Sequence, residues 1–151
     1  MGKVLNLGAG KSPIKDAVNH DITKHSDFIS IVWDLNKLPW PWKDNSFDKI
    51  VAWAVLEHLD ISLVQSMNEC WRILRPGGII ALKVPYWDSE GCWNDPTHKR
   101  GYTLQSMDYF DPDTKFGTQY NFYTPFKWKG LKKGFVKGSN KSIRFELRVK
   151  K

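Results

Sequence analysis

The chain is poor in the residues that would hold a fold together covalently. Its 151 residues include only two cysteines, Cys70 and Cys92. Neither has a neighbour at metal-ligand spacing, which excludes a disulfide framework and a zinc ribbon and reads as two reduced thiols. No run approaches the roughly 18 unbroken apolar residues of a membrane span, and residues 1 to 20 lack the apolar centre of a signal peptide. These absences predict a soluble, cytoplasmic protein with no membrane partner. Hydrophobic residues at 41% and aromatics at 14%, with eight Trp, are too many for a disordered chain. The length suits one domain, residues 1–151.

Acidic residues are scarce at one end only. Residues 127–151 hold ten Lys and Arg against the single acid Glu146, a balance of +9, whereas the first 126 residues balance at −2. The segment KWKGLKKGFVKGSNKSIRFELRVKK therefore predicts an anionic partner: nucleic acid, a nucleotide, or an acidic small molecule. Lysines spaced by glycine also fit a solvated hairpin tip.

Apolar patterning alternates as an α/β fold requires. KVLNL (3–7) suits a buried parallel strand. Further strands are expected at 17–20, 28–33, 48–56 and 77–85. Residues 61–75 predict the main helix, with Leu63, Val64, Met67, Cys70, Trp71 and Leu74 on one stripe. Ser62 and Gln65 fit a capping box, and Pro76-Gly77 supplies the stop. A strand, helix and returning strand make a crossover and a parallel sheet. Residues 86–101 read as a long loop and 104–110 as a short helix. Ile143, Phe145, Leu147 and Val149 alternate with polar residues as a strand with one solvated face, with an antiparallel partner expected around 119–126.

LNLGAGKSP (5–13) carries the chemical question. A P-loop needs a glycine five residues before Gly10, where Leu5 stands inside the first strand, and a long helix after Ser12, for which there is no room. A dinucleotide fingerprint wants a small residue where Pro13 stands. What remains is a strand ending in Gly8-Ala9-Gly10, against which a ligand can lie. Asp21 and Asp34 end the next two strands and offer carboxylates on the same edge, the first suited to ribose hydroxyls.

With these residues in view, the sequence resembles the class I S-adenosylmethionine-dependent methyltransferases, in the small branch with D-L-x-x-L-P, S-F-D, L-E-H-L and L-x-P-G-G signatures. LNLGAG, NHDI, WDLNKLPWPWKDNSFDKIVAWAVLEHL and ECWRILRPGGIIALKVPYW carry the likeness in order, over residues 3 to 87. The resemblance implies a Rossmann-like sheet, mostly parallel with an antiparallel C-terminal end, and S-adenosylmethionine as cofactor. It implies that Gly8, Ala9 and Gly10 line the methionine part, Asp21 binds the ribose, Asp34 and Leu35 hold the adenine, and Trp53 and Ala54 floor the sulfonium. Gly10 and Asp21 are only eleven residues apart, so the family's first helix is shortened or absent, and Ser12 replaces its third glycine.

Methyl transfer requires alignment and, for a protonated acceptor, a base; it needs no metal, and no zinc-like motif is present. His98, in the loop after the fifth strand, and His58, in LEHL, are the candidate bases, with Tyr86, Asp95 and Tyr102 as further options. His20 and His25 read as surface histidines. Trp40 and Trp42 read as packing residues, whereas Trp87 and Trp93 bracket the substrate loop. The acceptor itself is not legible. The alternative is an inactive module of the same fold that binds nucleic acid through its basic end.

Overall fold

The computed structural model describes residues 2–138 and 141–151; Ser139 and Asn140, inside the basic segment, lie outside the described residues. Among the described residues, seven strands form one sheet: β1 (Val4–Leu7), β2 (Val18–Asp21), β3 (Ile31–Val32), β4 (Phe47–Trp53), β5 (Leu74–Pro85), β6 (Lys127–Phe135) and β7 (Ser142–Lys150). Their order is β3-β2-β1-β4-β5-β7-β6. The first five pair in parallel, and β7 runs antiparallel to both β5 and β6. Strand order reverses between β1 and β4, the place where open α/β sheets hold ligands at their carboxyl edge.

The principal helix, α1 (Leu63–Ile73), begins with the expected capping box. Ser62 Oγ accepts from the Gln65 amide at 3.1 Å, and Gln65 Oε1 accepts from the Ser62 amide at 2.9 Å. Met67, Cys70 and Ile73 are fully buried and join Leu5, Ile50, Ile80 and Leu82 in the core. The helix stops before Pro76-Gly77. Leu74 is already extended and pairs with Phe47, so Pro76 and Gly77 lie within β5, where Gly77 takes a positive φ and the pairing with β4 is bulged. Arg72 Nη1 donates to the Trp42 carbonyl and Nη2 to the Trp40 carbonyl and Glu69 carboxylate. The helix is thereby fastened to LPWPW, where Trp40 is buried and its indole donates to the Leu35 carbonyl.

The connection from β1 to β2 contains no helix. Two buried asparagines replace it: Asn6 Nδ2 donates to Asn19 Oδ1 and to the Ser12 carbonyl, while Asn19 also bonds both backbone groups of Ile14. Backbone groups that a helix would have paired are satisfied by side chains instead.

Several sequence expectations require correction. The third strand is two residues long, not six. Residues 86–101 contain a helical turn, α2 (Glu90–Trp93), and only Asp108–Phe110 of the expected 104–110 helix forms, as a 3-10 turn. Residues 119–126 are not the partner of β7; they follow α3 (Lys115–Gln119) through a 3-10 turn, and β6 takes that place. Lysines and glycines hide β6 from pattern reading, because it is an edge strand exposed along most of its length with a bulge between Gly130 and Lys132.

The basic end is not a bare cationic patch either. Lys129 pairs with Asp111 and Asp113, Lys133 with Asp108, Lys132 with Glu146, and Lys150 with Asp113. Counting charge along the chain missed this because three of the neutralising acids, Asp108, Asp111 and Asp113, precede the segment and pack back on it. Among the described residues, no helix is long and apolar enough to cross a membrane.

Candidate active site

The carboxyl ends of β1, β2 and β4 open onto a cleft of about 320 Å³ lined by Gly8, Gly10, Asp21, Asp34, Leu35 and Ala54, with His20, Ile22, Trp33, Asn36, Val55, His58 and Leu59 completing the wall. The glycines are dictated by geometry. Gly8 has φ +60, and a Cβ there would meet Val55 Cγ2 at 2.5 Å. Gly10 has φ +53, but its nearest neighbour is 4.0 Å away, so its missing side chain leaves open space.

Asp21 is the pivot of the cleft. Its Oδ2 accepts from the Gly10 amide at 2.8 Å and its Oδ1 from the Ile22 amide at 2.7 Å, while His25 Nε2 approaches Oδ2 at 3.4 Å. Burial works against the charge, but these donors outweigh it and hold the carboxyl below its ordinary value. A carboxylate offers about four lone-pair sites, so Asp21 ties down the glycine loop and retains capacity for a ligand hydroxyl. Asp34 uses Oδ1 to accept from the Asn36 amide at 3.0 Å, and its other oxygen has no protein donor among the described residues.

His20 is buried, correcting its reading as a surface histidine. Its Nε2 donates to the Trp33 carbonyl at 2.9 Å, which makes Nδ1 the acceptor for the Gly8 amide at 3.4 Å. The ring thus bridges the glycine loop to the segment after β3. Burial pushes its pKa down against the Trp33 hydrogen bond and the charge of Asp21.

Two expected cofactor residues do not line the cleft. Ala9 is buried, with its amide donating to the His20 carbonyl. Trp53, the last residue of β4, is half exposed, and the Arg144 guanidinium of β7 stacks 5.3 Å from its ring. The chain then turns at Ala54 (φ +56), so Ala54 meets the cleft and Trp53 does not.

The two candidate bases lie together at one wall. His58 lines the cleft, and the ring of His98 meets it edge-on, centroids 4.7 Å apart. The loop is held over LEHL by backbone contacts: the Lys99 amide donates to the Glu57 carbonyl, and Arg100 Nη2 donates to the carbonyls of Leu59 and Ile61. Glu57 is buried beside them, with its carboxyl pushed up to about 7 by desolvation. Sequence reading did not identify Glu57 as chemically important. Of the other options, Tyr102 is buried, which pushes its phenol pKa up and away from a base's range. Tyr86 packs edge-on against Phe135. Trp87 and Trp93 are exposed and joined by a hydrogen bond from the Trp93 indole to the Trp87 carbonyl.

Comparison with known proteins bears on the domain and its fold. Residues 9–82 match the family described as methyltransferase domain. The matched stretch, just under half of the chain, resembles the class I S-adenosylmethionine-dependent methyltransferases. A probable S-adenosylmethionine-dependent methyltransferase from Mycolicibacterium smegmatis is 42% identical over 52 residues, which are 34% of this chain and 19% of that protein. The chain thus spans only about a fifth of that curated relative. Among solved structures, a chain of the complex between the Haloferax volcanii Trm112 methyltransferase activator and a putative methyltransferase superposes with a TM-score of 0.66 at 12% identity, covering 99% of this chain and 83% of that one. The trans-methyltransferase CalH in complex with SAH gives 0.65 at 15% identity, covering 98% and 51%. These two likenesses concern the fold.

The cleft fits the family's cofactor. Open backbone at Gly10, a carboxylate at the end of β2, a second after β3 and apolar walls from Leu35, Val55 and Leu59 match the polarity of an adenosine with a charged amino-acid tail.

Proposed function

We propose that the protein transfers a methyl group from S-adenosylmethionine to an acceptor approaching the cleft beside His58 and His98. The observation that carries this reading is the placement of Asp21 and Asp34 on adjacent strand ends around a glycine loop whose amide is bonded to Asp21. In this reading the backbone of Gly8 and Gly10 cradles the methionine end with Ala9 buried behind it, Asp21 accepts the ribose hydroxyls, Asp34 accepts from the adenine amine, and Leu35 covers the ring. Ala54 floors the cleft; Trp53 has no part in it. Residues 1–151 act as one domain, because the described strands share a continuous core.

When bound, the cofactor supplies an already activated methyl group, so the protein's task is alignment and removal of a proton. His58 is placed to take that proton, since it lines the cleft and burial and the neighbouring His98 hold its pKa down. An acceptor bearing a hydroxyl or amine suits this wall better than an anion. The lysines of β6 stand at the far edge of the sheet, separated from β4 by β5 and β7.

Calorimetric titration with S-adenosylmethionine and with S-adenosylhomocysteine tests the reading. Saturable binding of one equivalent is expected; no heat with either ligand would overturn it.

A further inference from the structure

We infer that Glu57, His58 and His98 form a binding site for a divalent first-row transition cation at the mouth of the cleft. One potential ligand atom from each side chain lies within 4.8 Å of the other two. Ligands about 2.1 Å from a common ion stand roughly 3 to 3.5 Å apart, so the widest separation in the cluster needs to contract by about 1.5 Å, within the reach of side-chain torsions.

A second, independent observation points to a ligand. Glu57 is 1% exposed, and its Oε2 has no hydrogen-bond partner. Buried carboxylate oxygens are nearly always satisfied, and an unpaired one is costly in a protein interior. A cation between Glu57 and the two imidazoles would satisfy it.

The surrounding bonds also set both imidazoles in the tautomer a metal requires. His98 Nδ1 faces the Cys92 carbonyl at 2.8 Å; a carbonyl only accepts, so Nδ1 carries the proton and Nε2 presents its lone pair. Thr97 Oγ1 donates its one proton to Asp95 Oδ1 at 2.7 Å, so at 2.8 Å from His58 Nδ1 it must accept, leaving His58 Nε2 bare. Each ring is thereby oriented through its outer nitrogen, one by a carbonyl and one by a carboxylate-hydroxyl relay, the arrangement that supports metal-ligating histidines. Asp95 Oδ2, 3.8 Å from His98 Nε2, adds negative charge at the rim.

Two imidazoles and one carboxylate favour zinc, manganese, iron or cobalt over magnesium or calcium, and three protein ligands leave positions open for a substrate oxygen. The role in catalysis rests on the methyltransferase reading; the metal site itself does not. An acceptor hydroxyl that coordinates the ion loses its proton to water more readily. The oxygen lone pair then forms the new O–C bond while the C–S pair returns to sulfur, leaving an ether and a neutral thioether. His58 would then act as a ligand and not as a base.

The test uses the full chain, stripped with chelator and titrated with Co²⁺ while visible absorption is recorded, with Zn²⁺ displacing it. One saturable equivalent is expected, with at least tenfold weaker binding in Glu57→Gln and in His98→Asn. No saturable spectrum, or equal binding by both variants, overturns the site. A thiolate-to-cobalt charge-transfer band would also overturn it, by showing that a cysteine is a ligand. Near-ultraviolet circular dichroism identifies a variant that fails to fold, and His58→Asn then replaces it. S-adenosylhomocysteine binding measured in chelator separates the two readings: it can fail while cobalt binds, and it can succeed while cobalt does not.

Discussion

The Gly10 amide donates to Asp21 Oδ2 at 2.8 Å, so the turn after the first strand and the acid ending the second are one structural unit. No helix intervenes between them. The carboxylate that would receive the ribose is also what keeps the glycine loop in place.

Replacement of Asp21 by alanine should therefore weaken S-adenosylhomocysteine binding by roughly 1.5 to 3 kcal/mol, through loss of charge-assisted hydrogen bonds. Asp21→Asn should retain part of the loop's support but lose the charge. Calorimetry on both variants checks the assignment, and unchanged affinity in Asp21→Ala would refute it.

The two glycines should separate stability from binding. Gly8→Ala meets Val55 Cγ2 at 2.5 Å in a backbone region costly to a side chain. A loss of about 2 kcal/mol or more in denaturant unfolding is expected. Gly10→Ala has the same backbone penalty but nothing closer than 4.0 Å, so it should cost about 1 kcal/mol in stability and fall mainly on cofactor affinity. Equal unfolding midpoints for the two would contradict this account.

His20 predicts a dependence on pH. Its folded pKa lies below the ordinary 6.5, because burial opposes the charge and the Gly8 amide already occupies Nδ1. Below that ordinary value the unfolded chain takes up a proton that the folded chain resists. The stabilisation is thus complete above about pH 6.5 and is lost as the pH falls. His58, also held low, acts in the same direction, so the informative quantity is the difference between proteins. Melting temperature should fall less steeply from about pH 7.5 to about pH 5 in His20→Gln than in the natural chain. Parallel slopes would show that His20 does not titrate on unfolding.

The grouping of Gly8, Gly10, Asp21, Asp34 and Leu35 around one cleft was legible because they are local to strand ends. Each stands within two or three residues of a strand terminus, and parallel pairing brings those termini to one edge. Asn6 and Asn19 left a signal that was not used: two polar residues inside apolar strands, where a helix was missing. Ala54 lines the cleft and Trp53 does not, because the chain turns at Ala54, which no local pattern announces.

The sequence by itself determined the parallel half of the sheet, the capped helix and the strand edge that carries the cleft. Short-range periodicity and strand-end chemistry specify these without knowledge of distant contacts. The tertiary structure alone decided the rest. It folded a loop forty residues downstream over Glu57 and His58, buried a carboxylate there, and spent much of the basic end on ion pairs with Asp108, Asp111 and Asp113. Burial and charge pairing are properties of surfaces brought together, and spacing along the chain does not record which surfaces will meet.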